Sequence, residues 1–165
     1  MIAKASVIIR CAALVLMAGG AAWSASASAA NDKARLTGLA DVGFGLVTTA
    51  SDQAISQNVC SYSSSATSGY SVTATGNGAG GAFTLGGPAP LPYEVRWSGS
   101  ANQTNGIALT PGAVTSGFTS SASQQTCNSG PAASASLIVI IRAAALGSAP
   151  AGAYSGTLQV TIAPE

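Results

Sequence analysis

The sequence predicts an all-β protein, an antiparallel β-sandwich, and three observations carry this prediction. Apolar and polar residues alternate along several segments, which is the period of a half-buried strand. Glycine and proline recur between those segments, where the chain needs turns. After the first thirty residues, no stretch repeats apolar residues at helical spacing between caps. These patterns favour strands joined by turns over a helical architecture.

Residues 1–30 are predicted to be a cleaved secretory signal peptide. Lys4 and Arg10 supply a basic start, and residues 11–22 form an apolar run that is too short to span a bilayer. Small residues then continue to Ala30 and offer cleavage sites of the A-x-A kind. An N-terminal membrane anchor is the alternative. With the signal removed, we expect no membrane span and a single exported domain over residues 31–165.

Alternating segments divide the mature chain into predicted strands. The C-terminal segment is the clearest, because Leu158, Val160 and Ile162 share one face and hydroxyl or amide residues occupy the other. Residues 137–141 are apolar on both faces, which suits a central strand. Seven or eight strands match an immunoglobulin-like sandwich of about 100 to 130 residues. The predicted strands are residues 36–47, 54–62, 70–74, 83–85, 91–97, 107–109, 137–141 and 154–162.

The residues between the strands indicate how they connect. Asn105 and Gly106 form a pair that favours the left-handed conformations of hairpin turns. Glycines punctuate residues 78–81 and 86–88 in the same way. Residues 116–135 are polar and poorly patterned, so we predict a long connection there. We see no internal repeat and no second domain.

Two cysteines, Cys60 and Cys127, remain once the signal peptide takes Cys11 with it. Exported proteins fold in an oxidising compartment, so we expect these two to form a disulfide. Closing a loop of this length would stabilise the fold by roughly 4 kcal/mol through chain entropy. Two free thiols are the alternative.

Composition excludes several classes of function. The 165 residues include no histidine, which rules out a Ser-His-Asp or Cys-His relay and any site with a histidine ligand. Only 7% of residues are charged, and the formal net charge of +1 gives no electrostatic basis for binding the phosphate backbone of a nucleic acid. We therefore predict no catalytic residue, no cofactor, no metal and no nucleic-acid partner.

The N-terminal part of the mature chain admits two interpretations. From residue 34 to residue 46 every even position is small or apolar, which gives a strand with one apolar face. It is either the first strand of its own domain or, over residues 31–43, an extension that adds a strand to another subunit. At the other end, no charge occurs between Tyr154 and Ala163. An unpaired edge without charge invites pairing, so an earlier strand or a partner should cover it.

The order of several short motifs resembles that of bacterial chaperone–usher pilus subunits, most closely the spore coat protein U-like pilins of the archaic branch. The resemblance spans most of residues 34–165. Its motifs are Phe44-Gly45, Val59-Cys60, Tyr70-Ser71-Val72, the segment 91–95, a second cysteine and the closing segment 151–162.

That resemblance implies a fold, a mechanism and partners. The sandwich would be incomplete and would be completed by a donor strand of the next subunit, in a surface fimbrium with a role in adhesion or biofilm formation. A periplasmic chaperone, an outer-membrane usher, other pilus subunits and a host or abiotic surface would be the partners. The donor side chains would be Ala34, Leu36, Ala40 and Val42, and Leu158, Val160 and Ile162 would flank the acceptor groove.

A self-complete secreted binding module is the competing interpretation. Sugar binding on a sandwich would need exposed aromatic residues and carboxylates, for which Tyr62, Tyr93, Trp97 and Glu94 are the candidates. The alternation around Glu94 places Tyr93 and Trp97 on one apolar face, which favours core packing. A glycosidase needs two carboxylates across a cleft, whereas the acids away from the termini are scattered along the sequence. We therefore expect no enzyme.

Overall fold

A computed structural model describes residues 2–6 and 32–165. The remainder of the predicted signal peptide, residue 1 and residues 7–30, lies outside the described residues. The described elements are twelve strands, one 3-10 turn at Ala79–Gly81 and one short helix, α1 at Ala143–Ser148. The strands are β1 Ile2–Ser6, β2 Ala34–Thr37, β3 Val42–Gly43, β4 Gln53–Ser63, β5 Gly69–Gly76, β6 Thr84–Leu85, β7 Leu91–Pro92, β8 Glu94–Ser98, β9 Ile107–Ala108, β10 Val114–Thr119, β11 Ala135–Ile141 and β12 Ser155–Pro164.

These strands form two five-stranded sheets and a small hairpin. The order is β10-β5-β12-β1-β3 in the first sheet and β2-β4-β11-β8-β9 in the second, while β6 pairs with β7. Every pairing is antiparallel except that of β1 with β12, which is parallel. The predicted all-β sandwich is confirmed.

The core lies between the two sheets and is built from the alternating faces that the sequence indicated. On β5, Tyr70, Val72 and Ala74 are fully buried. The apolar residues of β12 are buried beside them in the same sheet, and those of β8 are buried in the other sheet. Alternation produces this arrangement because successive side chains of a strand point to opposite faces. The whole of β11 is buried, as expected for a central strand between β4 and β8.

The predicted strand 36–47 is divided into β2 and β3, which belong to different sheets. Gly38 lies between them with φ +86, a conformation that a residue with a Cβ rarely adopts. The side chain of Gln57 holds this crossover by donating a 2.8 Å hydrogen bond to the carbonyl of Ala40. The first strand of the mature chain therefore contributes to both sheets.

Part of the predicted connection at residues 116–135 is a strand instead. Its start belongs to β10, which pairs with β5 and has an irregularity between Thr115 and Phe118. Gly117, with φ +86, lies at that irregularity and interrupts the alternation on which the prediction depends. Phe118 is buried and stacks on Tyr70 at 5.6 Å between ring centroids. Only residues after β10 form the long connection.

The predicted disulfide is confirmed. Cys60 on β4 bonds Cys127 in the connection after β10, with Cα atoms 5.9 Å apart. Both cysteines are buried together with Ala122 in a small cluster beside the main core. The bond closes a loop across 67 positions of sequence and fixes the connection against β4.

Candidate strand-binding slot

β1 occupies a slot in the first sheet between β12 and β3. It runs parallel to β12, with Ile2 opposite Ser155 and Ser6 opposite Gln159. On its other side it runs antiparallel to β3, where Ile2 pairs with Gly43. We call the gap between Val42–Gly43 and residues 155–159 the strand slot. Its occupant comes from a segment that the sequence assigns to the signal peptide.

The residues predicted to flank an acceptor groove lie on β12. Leu158, Val160 and Ile162 are all buried in the core. On the side away from the slot, β12 pairs with β5 from Leu158 to Pro164. One side of β12 is therefore fixed within the sandwich, and the other side forms a wall of the strand slot.

The four predicted donor residues lie within the chain's own sandwich. Ala34 and Leu36 pair with β4, and Leu36 is only 5% exposed. Ala40 is exposed in the crossover, and Val42 is buried on β3, in a wall of the slot. In the described structure, this segment therefore belongs to its own domain, as in the first of the two interpretations of the sequence. A donor role would require β2 to leave β4, and that role stays a prediction.

An apolar groove continues the strand slot at the end where β1 begins. One side of the groove is formed by the stretch after β3, where Leu46 is fully exposed. The other side is formed by the stretch before β12, which ends at Tyr154. Leu91 and Leu146 also line the groove, and none of its lining residues among those the structure describes is charged. Tyr154 is held by a 2.7 Å hydrogen bond from its hydroxyl to the carbonyl of Pro150. This groove was not predicted from the sequence, although Leu46, an apolar residue at the end of the alternating segment, indicated it.

A cluster of charged side chains lies on the outer face of the second sheet. Arg142 donates to both carboxylate oxygens of Glu94, at 2.7 and 2.6 Å, and to Asp52 at 2.7 Å. Asp52 also accepts a 2.8 Å hydrogen bond from the backbone of Ala143 at the start of α1. The expectation of scattered carboxylates is therefore wrong for Asp52 and Glu94. They meet because β4 and β8 both pair with β11, whose end leads to Arg142.

This cluster is built to keep its carboxylates ionised. The hydrogen bond from Arg142 is the largest cause that lowers the pKa of Glu94, and the backbone of Ala143 followed by Arg142 lowers the pKa of Asp52. Both carboxylates in turn raise the pKa of Arg142. A catalytic general acid needs the opposite shift, toward a raised carboxyl pKa. The cluster is better suited to fixing α1 and β11 than to proton transfer.

The aromatic residues considered for sugar binding are mostly inside the protein. Trp97 is 0% exposed and donates its indole N–H to the hydroxyl of Tyr70 at 3.1 Å. Tyr93 is buried and stacks on Phe83, and burial raises its pKa to about 12. Tyr62 is partly buried against the disulfide cluster. Trp97 and Tyr93 therefore offer no face to a sugar ring.

Other kinds of site find no support in the described part of the chain. Within residues 2–6 and 32–165, no group of three His, Cys, Asp or Glu is placed to hold a metal. The same residues contain no helix whose length and apolar character would let it cross a membrane. Comparisons with family models, curated proteins and solved structures found no match.

Proposed function

We propose that this chain is an exported structural subunit of a surface pilus and is assembled by donor-strand complementation. One observation carries the proposal: the first sheet contains a slot, and its occupant, Ile2–Ser6, comes from outside the mature domain. The resemblance to chaperone–usher subunits supplies the partners, which are a periplasmic chaperone, an outer-membrane usher and other subunits. In this proposal the fibre serves adhesion or biofilm formation.

The backbone groups of β12 that face the slot, at residues 155–159, would drive the assembly of subunits. When export removes residues 1–30, the N–H and C=O groups of β12 that face the slot lose their partner strand. Between Tyr154 and Ala163 no charged side chain is present to keep another strand away. An extended segment from a partner would satisfy these groups and extend the sheet, which is recognition by strand addition.

β2 is the part of the mature chain best suited to donate. It lies at the end of the second sheet in the described strands and pairs with β4 over only four residues. Its release would break a short ladder and leave the disulfide and the central strands in place. Ala34 and Leu36 would then be free to enter the slot of a neighbouring subunit, while Val42 stays on β3 in the wall of the subunit's own slot.

A peptide experiment tests this mechanism. The mature chain lacking residues 31–37 should bind a synthetic peptide of residues 31–46 in the strand slot, measured by fluorescence anisotropy and by size-exclusion chromatography. A peptide of residues 1–10 should displace it, whereas binding that resists this competitor would mean that the first peptide re-occupies the place of β2 on β4. A matched peptide carrying Leu36→Asp and Val42→Asp should not bind, because a charge buried in a slot without a partner is costly. If the shortened chain is a stable monomer that ignores the first peptide, strand exchange is not its mechanism.

The competing binding-module function has weaker support. Its aromatic candidates Trp97 and Tyr93 are buried, and Glu94 is engaged by Arg142. A glycan array probed with the mature chain separates the two functions. A shaft subunit should bind no glycan, and specific binding would favour the module.

A further inference from the structure

We propose that Ile2–Ser6 is a cis occupant of the strand slot, so that the uncleaved chain is closed to donor strands and loss of the leader opens it. This inference rests on the proposed function and adds that the leader regulates access to the same site. The sequence assigned residues 1–30 only to export. In the structure, five of them complete a sheet of the sandwich.

The contacts of β1 make its occupancy exclusive. It pairs with residues 155–159 of β12 over its whole length and with Val42–Gly43 of β3 through Ile2 and Ala3. Neighbouring strands in a sheet lie about 4.8 Å apart, so the gap between β12 and β3 admits one strand and no more. A donor strand from another subunit cannot pair with these residues until β1 leaves.

The covalent connection favours β1 over any free competitor. The chain joins β1 to β2 through residues 7–33. β1 therefore competes for the slot as a covalently tethered segment, and a tether that can span two sites gives an effective concentration on the order of millimolar. A free donor strand at about micromolar concentration would therefore compete poorly while the leader is attached. Cleavage removes the competitor permanently, because the released leader is diluted.

The probe for the test is a fluorescein-labelled peptide of residues 1–10, which contains the natural occupant. It is added to the full chain with its leader intact, confirmed by mass, and to the mature chain 31–165. A third protein is the full chain with Ala5→Pro, since proline within a central strand removes a ladder hydrogen bond and should expel β1. The matched control is Ala13→Pro, which places the same substitution in the leader outside β1.

The proposal predicts that the full chain and the Ala13→Pro control bind the probe at least about tenfold more weakly than the Ala5→Pro and mature chains. Equal binding by all four proteins would overturn the inference and leave the proposed function standing, because the slot would accept a strand whether or not the leader is present. Absence of binding by all four would overturn the inference, because the leader segment would then have no affinity for the slot, whereas the proposed function is decided separately by the peptide of residues 31–46. Should the mature chain fail to fold, the contrast between Ala5→Pro and Ala13→Pro decides alone, and equal results for that pair overturn the inference.

Discussion

At the scale of single residues, Arg142 shows what the sequence pattern can and cannot predict. Alternation along β8 correctly placed Glu94 and Arg96 on the outer face. It could not predict that Glu94 and Asp52 share Arg142, because that contact depends on the register of three strands distant in sequence. In the structure, Ile141 pairs with Gln53 and Ile140 with Glu94, and this register brings both carboxylates to the end of β11.

The cluster predicts a pH dependence of stability. Arg142 holds the pKa of Glu94 below its ordinary value of 4.5, so the folded chain keeps this carboxylate ionised where the unfolded chain binds a proton. Its contribution is complete above that ordinary value and is lost as the pH falls through the lowered pKa. Urea unfolding between about pH 6 and about pH 3 should therefore show a steeper loss of stability for the unmodified chain than for Glu94→Gln.

Asp41→Asn serves as the control for this measurement, since Asp41 is an exposed carboxylate outside the cluster. It should retain the slope of the unmodified chain. A Glu94→Gln variant with that same slope would show that the pairing with Arg142 contributes nothing to the pH dependence.

A second prediction concerns the buried hydroxyl of Tyr70. It accepts hydrogen bonds from Trp97 Nε1 and from Ser61 Oγ, each at 3.1 Å. Tyr70→Phe would leave the buried indole N–H without this partner, so the free energy of unfolding should fall by about 1–3 kcal/mol. Tyr62→Phe, at a partly buried site, should change it by less than about 0.5 kcal/mol. Equal effects in chemical denaturation would contradict the role assigned to the Tyr70 hydroxyl.

At the scale of elements, strands with a regular hydrophobic pattern were predicted from the sequence, and strands whose pattern is interrupted were not. β5, β8 and β12 follow from the sequence because each keeps its period over at least five residues, and β11 follows because it is a continuous apolar run. β10 was missed because Gly117 interrupts its period, and the division at Gly38 was missed because small residues continue the alternation through the crossover. α1 was missed because a six-residue helix is too short to show a helical repeat.

Gly76 at the end of β5 gives a test at this scale. A Cβ on Gly76 would collide with the backbone carbonyl of Ala82, where the chain turns toward β6. Gly76→Ala should therefore lower the free energy of unfolding by about 1–3 kcal/mol, as overpacking does. Gly147→Ala is the matched control: a Cβ there meets nothing within 4 Å.

Gly147 lies within α1. Its replacement by alanine should be neutral or stabilise the chain by up to about 1 kcal/mol, because alanine has the higher helix propensity. Thermal and urea unfolding of both variants measure the two effects. A neutral Gly76→Ala would mean that the turn between β5 and β6 relaxes freely, contrary to the close backbone approach in the structure.

At the scale of the whole molecule, the sequence predicted the sandwich and the disulfide, whereas a groove beside β12 was implied only by the resemblance to pilus subunits. The alternating edge of β12 indicated that something must cover it, and β5 and β1 do so. That β1 would come from the leader could not be predicted, because the composition of residues 1–30 is explained by export alone. The position of the slot also depends on the division of the first mature strand, which moves Val42–Gly43 into the sheet of β12.

Hydrogen–deuterium exchange of β12 tests the central claim most directly. It is followed in the full chain, in the mature chain 31–165, and in the mature chain with an excess of the peptide of residues 31–46. The account predicts that amides of residues 155–159 and 42–43 that face the slot are protected in the full chain, exchange faster once the leader is absent, and regain protection with the peptide. Identical protection in all three samples would contradict it, because the mature sandwich would then have no open slot.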